Sequence, residues 1–290
     1  MLLTATIIWG SCFVSQSVAM THMGPFTFQA VRCLMAVVIM IPVILISDRF
    51  SGKNGNFFSR WCDANLWKAG ILCGIPLFLA CNMQQLALVD TDAGKSGFLT
   101  AMYIVFVPLI GIFRKQRPSA LVPVSVLLAV AGLYLLSCVG VSSITTGDLL
   151  LLGCAVMFAV QINVVDSFVS RVDPMRLNAI QIIVCTLLSS AVMFATEQPT
   201  WAGIVKCTPQ LIHAGFFSMG ISYGLQILGQ RHLAQAPAAL IMSLESVFAA
   251  LFGWLLLQER MESHELFGCG LLFTAVILSQ IELKPKEKKS

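Results

Sequence analysis

The chain has 290 residues, 57% of them apolar and 11% charged, and its mean hydropathy is +0.85. A water-soluble globule of that composition would have to expose large apolar patches, so the solvent for much of this surface is lipid. The net charge of +4 is not a nucleic-acid footprint, because the cations fall in short loops between apolar stretches instead of forming one basic face.

Ten apolar segments follow one another: Met1–Met20, Pro25–Ile46, Trp67–Val89, Gly94–Phe113, Ala120–Val139, Asp148–Val169, Met175–Thr196, Gln210–Gln230, Ala236–Gln258 and His264–Ile281. Each is near the twenty or so residues that cross about 30 Å of hydrocarbon as a helix. The connections are short and polar, which predicts one helical bundle. Gly70, Pro76, Pro108 and Pro123 fall inside these spans, where neighbouring helices can satisfy the backbone groups that a proline frees. The ten cysteines are scattered with no CxxC or Cys/His spacing, and are expected to be small packing residues.

The chain repeats itself. Gln84–Gln116 aligns without a gap on Gln226–Gln258, 142 positions later, with Gln84/Gln226, Leu86/Leu228, Val105/Val247, Phe106/Phe248, Leu109/Leu251, Gly111/Gly253 and Gln116/Gln258 identical. An offset of 149 matches Leu2/Leu151, Leu3/Leu152, Pro25/Pro174 and Ala30/Ala179. The predicted organisation is therefore a first repeat over 1–140, a second over 147–281 and a basic tail over 282–290. Five spans per repeat is an odd number, so the copies enter the bilayer with opposite polarity. Such an inverted-topology repeat suits alternating access, in which the halves exchange conformations around a site between them. Met1 aligns with Leu150, inside the sixth span, so a natural start further upstream is expected. A signal peptide fits the first segment poorly, for it has no charged start and no early small-residue cleavage site.

With ten spans both termini share a side. The loops on that side hold Arg49, Lys53, Arg60, Lys68, Arg114, Lys115, Arg117, Arg171, Arg176, Arg231 and four lysines from Lys284 to Lys289, fourteen cations against Lys95, Lys206 and Arg260 on the other. This bias predicts cytoplasmic termini in a multi-pass cell-membrane protein, a bacterial inner or plasma membrane being the natural setting. The tail either touches anionic lipid or acts as a solvated stop.

Four stretches carry a family resemblance. Ser243-Leu-Glu-Ser-Val-Phe-Ala-Ala-Leu-Phe-Gly-Trp-Leu-Leu-Leu-Gln-Glu259 is similar to the ninth-helix signature of the drug/metabolite transporter superfamily, EamA branch. Ile8-Trp9-Gly10-Ser11, Ala30-Val-Arg32-Cys-Leu-Met-Ala36 and Gly94-Lys-Ser-Gly-Phe-Leu-Thr-Ala-Met-Tyr103 resemble its first-, second- and fourth-helix motifs. The resemblance covers nearly the whole chain. It implies a fold of the all-α integral membrane class, ten helices in two five-helix repeats, and a transporter of small organic solutes, often amino acids or related metabolites and commonly outward. One departure is Ser246, where the family usually has proline after the glutamate; this puts a helix break there in question.

Polar side chains inside the spans are the candidates for chemistry. Glu245 lies mid-span, where a charge costs on the order of 3 kcal/mol, so it must face the interior, pair or be protonated. The repeat puts Tyr103 at the equivalent position. A proton or solute contact and a folding signature are both open for Glu245. Asn82, Gln85, Asn163, Tyr223 and Gln226 are candidate solute contacts, since amides read polar groups without a charge but also join helices. Trp9, with Tyr103, Tyr223 and Trp254, offers an aromatic wall or ordinary packing. Arg32, two turns into the second helix, either anchors a carboxylate or bonds neighbouring carbonyls. Its repeat partner is Gln181. Gln84, Gln181 and Asp166 complete a set with gating or structural roles; Asp166 has a gate contact with Arg171 or Arg176 as one option.

The expected substrate-binding set is thus Trp9, Asn82, Gln85, Tyr103, Asn163, Tyr223, Gln226 and Glu245. No HExxH, GxSxG or P-loop occurs, which argues against hydrolase chemistry and ATP drive. An intramembrane aspartyl protease would need two carboxylates in one site. The expectation is a secondary transporter that is not an enzyme and uses no cofactor or metal. A cation or multidrug exporter of the same fold is the alternative, with an intramembrane enzyme or a non-transporting scaffold further behind. Its partners are a small solute and the lipid bilayer, without nucleic acid, and with a homodimer left open.

Overall fold

In the structure, a computed structural model, residues 1–50, 57–114, 121–137, 145–257 and 262–279 are described. The basic tail 282–290, Gln116, Gln258, Lys53, Cys138 and Arg260 lie outside them. Helices α1 (Leu2–Met20), α2 (Pro25–Phe50) and α3 (Ala64–Ala87) are followed by α4 (Ala93–Ala101), α5 (Tyr103–Phe113), α6 (Val122–Ser137), α7 (Thr146–Phe168) and α8 (Pro174–Thr196). Short α9 (Trp201–Lys206) and α10 (Thr208–Ile212) lead into a π-helical segment, His213–Ser222, continued by α11 (Tyr223–Gln230). Then come α12 (Gln235–Met242), α13 (Glu245–Leu257) and α14 (Ser263–Ser279).

Helix starts are written in the sequence. Asp63 accepts from Asn65 N, Asp173 caps α8 ahead of Pro174, and Thr145 and Asp148 close a capping box at the start of α7. Taking α4–α5, α10–α11 and α12–α13 as continuous, eight helical stretches among the described residues are long and apolar enough to cross a bilayer. The remaining apolar helices, α6 and α14, are shorter and pack on each other. Apolar residues also cover the outside: Leu34, Val38, Ile41 and Leu45 form one exposed face of α2. Helices that are apolar all round belong in lipid.

Small residues bring the inner helices together. A Cβ at Gly74 would lie 2.6 Å from Val184 Cβ, and one at Gly70 would meet Ile180. This four-residue spacing lets α3 lie directly on α8, where backbone proximity replaces hydrophobic drive.

Two of the spanning stretches are broken, at matching places. Met102 separates α4 from α5, and Ser243–Leu244 separates α12 from α13; Met102 and Leu244 are 142 apart. Both breaks tighten the same hydrogen bond, Met102 N to Leu99 O at 3.3 Å and Leu244 N to Ile241 O at 3.2 Å. The break therefore forms with Ser246 in place of proline, and Ser246 Oγ donates instead to Gly97 O, 3.0 Å away on α4. The π-helical segment departs from the plain helix expected over Gln210–Gln230. Its irregular backbone is supported by side chains: Asn178 donates to Gly220 O at 3.0 Å and Ser222 to Phe217 O at 3.0 Å.

Candidate functional site

A cavity lies among α1, α2, α3, α5, α7, the π-helical segment, α11, α12 and α13. Its lining follows the repeat. Trp9 and Phe158, Cys12 and Gln161, and Phe13 and Ile162 all face it, each pair separated by 149 residues. So do Gln84 with Gln226 and Tyr103 with Glu245, each 142 apart. Trp9 packs on Tyr223 with ring centroids 5.1 Å apart, and Tyr103 meets Phe158 edge-on at 6.5 Å. The Tyr223 hydroxyl lies 3.7 Å from the thiol of Cys81, again 142 positions earlier.

The helix breaks place the most polar pair. Tyr103 is the first residue of α5 and Glu245 the first of α13, so each stands at a helix start, where the helix dipole favours negative charge. The two side chains face each other in the cavity. Tyr103 Oη, Glu245 Oε1, Trp9 Nε1 and Gln226 Oε1 are all buried without a hydrogen-bond partner in the protein. Buried polar atoms are rarely left unsatisfied, and four converge on one cavity.

The amides around them are already committed to each other. Gln226 donates to Gln161 and to Gln230, both at 3.0 Å. Gln161 donates to Gln181 at 3.1 Å, and Gln181 to Asn178 at 2.9 Å. This ladder holds α7, α8 and α11 in register while leaving the Gln226 carbonyl oxygen toward the cavity. Gln84 donates to Thr100 Oγ1 at 3.1 Å.

Of the eight residues expected to contact solute, Trp9, Tyr103, Tyr223, Gln226 and Glu245 line the cavity, together with Arg32 and Gln84 from the gating or structural set. Asn82, Gln85 and Asn163 do not. Asn82 donates to Ser189 and Phe78 O, Gln85 to Met20 Sδ, and Asn163 to Val107 O and Ala159 O. All three join helices. Gln181 sits behind Gln161, and Asp166 lies 3.9 Å from Arg114. Arg176 pairs instead with Asp48 and Asp173. Phe13, Gln16, Phe158, Ser218, Met219 and Met242 also line the cavity but were not singled out from sequence. The 149 spacing applied to Trp9 reaches Phe158 directly.

Both ends of the bundle are tied across the repeats. At one end Arg176, its side chain fully buried, holds Asp48 through two hydrogen bonds of 3.0 and 2.6 Å, with Arg60 3.1 Å from the same carboxylate. At the other, Glu197 accepts from Phe26 N at 3.0 Å and from Thr27 N at 2.8 Å and Thr27 Oγ1 at 2.5 Å. There Lys95 Nζ also lies 2.7 and 2.8 Å from the two carboxylate oxygens of Asp148.

The sequence model of the EamA-like transporter family matches residues 1–138 and 145–280. An uncharacterized transporter of Archaeoglobus fulgidus is 31% identical over 285 residues, covering 96% of this chain and 83% of that protein. An uncharacterized transporter of Bacillus subtilis, YoaV, is 21% identical, covering 96% and 94%, and a chloroplastic WAT1-related protein of Arabidopsis thaliana is 22% identical, covering 96% and 68%. A crystal structure superposes with a TM-score of 0.73 at 17% identity over 95% of this chain and 96% of the other, a likeness of fold.

Proposed function

This chain belongs to the EamA-like transporter family, and on that premise we propose that it moves small organic metabolites across a cell membrane by alternating access around the central cavity. The observation that carries this reading is the lining itself: five pairs of repeat-related side chains, and four buried polar atoms without protein partners, meet in one space. A site on the axis between inverted repeats is reached from either side by exchanging the conformations of the halves. Two matches to the family model, one per half, support the two-repeat organisation. On this reading the two shorter apolar helices are spans as well, giving ten crossings, and the cation bias supports cytoplasmic termini.

Amides, aromatic rings and few charges suit an amphipathic solute, such as an amino acid or a related metabolite, moving outward. Flux of radiolabelled metabolites into proteoliposomes tests the reading. Tyr103→Phe and Gln226→Leu are expected to raise the apparent KM at least threefold, while Leu45→Ala on the outer face of α2 leaves it unchanged. Silence of the two cavity variants alongside an effect at Leu45 would misplace the site. Glu245 carries either a transported proton or a solute contact. A stable Glu245→Gln protein with unchanged pH dependence of flux would remove the proton role.

A further inference from the structure

Arg32 breaks the symmetry of the cavity. Its repeat partner, 149 positions on, is Gln181, which is turned away into the amide ladder, whereas Arg32 lines the cavity at 2% exposure. Its Nε donates to Gln29 Oε1 at 2.7 Å and one Nη to Gln16 Oε1 at 2.6 Å. Both acceptors are neutral amides, and among the described residues nothing accepts from the other Nη. The ionisable groups around it are the thiols of Cys12, Cys33, Cys81 and Cys185 and the phenol of Tyr223; none is a carboxylate. Phe28 covers one face of the guanidinium at 5.5 Å. The π-helical segment fixes the backbone beneath it, because a Cβ at Gly215 would lie 2.7 Å from Arg32 O.

An arginine keeps its proton in proteins, and a buried charge without an opposite charge is costly. The other buried cation among the described residues, Arg176, has Asp48 and Asp173, and the half-buried Lys95 has Asp148. Arg32 is left facing a cavity lined by the rings of Trp9, Phe13, Tyr103, Phe158 and Tyr223, in which Glu245 is the other ionisable group of opposite charge and is not in contact with it. We infer that Arg32 is the subsite for the carboxylate of an organic solute, whose apolar body lies against Trp9, Tyr223 and Phe158. This rests on the transporter reading and narrows it, because a solute bearing only a cation would meet this guanidinium with repulsion.

Two experiments on the full-length protein in detergent test the inference. In the first, without solute, Gln16→Glu supplies the missing charge from within the protein. It is expected to raise the melting temperature, and the gain should vanish in the Gln16→Glu/Arg32→Gln double variant. A lowered melting temperature for Gln16→Glu, or a gain that survives removal of Arg32, overturns the claim that the cation lacks a partner. In the second, matched probes are titrated: 3-phenylpropionate, 3-phenylpropanamide and 2-phenylethylammonium, then a wider set of monocarboxylates each beside its primary amide. Carboxylates should bind at least tenfold more tightly than their amides, with the preference lost in Arg32→Gln and partly kept in Arg32→Lys. Equal binding of amides or ammonium probes, retention of the preference in Arg32→Gln, or protection by chloride equal to that by carboxylates overturns the inference and leaves the transporter standing. No binding by any probe, together with no flux of any of them in proteoliposomes, overturns both.

Discussion

The corner where α2 ends against the start of α8 and the corner where α8 ends against the start of α2 are counterparts. Asp48 and Glu197 are 149 residues apart, as are Thr27 and Arg176. In each corner the closing acid of one helix reaches the opening turn of the other. The chemistry differs: Asp48 grips a buried guanidinium, while Glu197 accepts from two backbone N–H groups and a hydroxyl. The difference follows the cation bias of the loops. The end bearing Arg60, Arg114, Arg171, Arg176 and Arg231 has arginines to spare, whereas the other offers Lys95 and Lys206 among the described residues. Where cations are scarce, the free N–H groups of a helix start serve as the positive partner. An uneven distribution of loop cations thus leaves its mark on how two equivalent joints are closed.

If that comparison is right, the arginine corner is the more costly to break. Arg176→Gln leaves Asp48 short of a bidentate partner and uncovers Phe57 and Trp61, whose rings lie 5.4 and 5.6 Å from the guanidinium. The expected loss is on the order of 3 kcal/mol, the scale for splitting a buried pair, read as a lower midpoint in denaturant titration of the detergent-solubilised protein. Arg176→Lys should recover only part of it, because a lysine cannot supply the two-point contact. A loss no greater than that of a surface substitution would refute the asymmetry.

The Glu197 corner should yield less. Glu197→Ala removes a cap from α2 and is expected to cost about 1 kcal/mol, with faster hydrogen exchange confined to Phe26 and Thr27. Glu197→Gln should fall between, keeping one acceptor oxygen but no charge. If Glu197→Ala proves as damaging as Arg176→Gln, the corners are equivalent in energy despite their chemistry.

Much of this was legible in the sequence. Segment length outlined the eight long apolar stretches, and the two offsets tied Gln84 to Gln226 and Tyr103 to Glu245. Less legible was which face of each helix turns inward. In α3 the neighbours Gln84 and Gln85 are about 100° apart on the helix; the cavity takes Gln84, while Gln85 reaches Met20 on α1. When apolar residues surround a helix, the pattern gives no preferred side. The helix breaks and the π-helical segment were hidden for another reason. They depend on tertiary partners, Gly97 for Ser246 and Asn178 for Gly220, and not on a local proline. Asp48 with Glu197 was within reach, since the 149 offset connects them, but acids at helix ends look like ordinary loop charges.

The smallest expected effect concerns the second break. Ser246 is the second residue of α13, and proline is well tolerated in the first turn of a helix, where its missing N–H has no helical partner to lose. Ser246→Pro gives up the 3.2 Å bond from its own N to Ser243 O and the 3.0 Å bond from Oγ to Gly97 O, together about 1–2 kcal/mol. It recovers part of that by stiffening the unfolded chain, about 0.4–1 kcal/mol. The net change should stay within about 1 kcal/mol, with solute flux unaltered. Ser246→Ala loses only the Oγ bond and should be mildly destabilised, by about 1 kcal/mol. The counterpart in the first repeat, 142 residues earlier, is Ile104. It is the second residue of α5, buried at 1% exposure and bonded to no polar group. If Ser246→Pro abolishes flux while Ser246→Ala preserves it, the second break must flex during transport in a way that a locked backbone prevents, and the two breaks differ in function as well as in sequence.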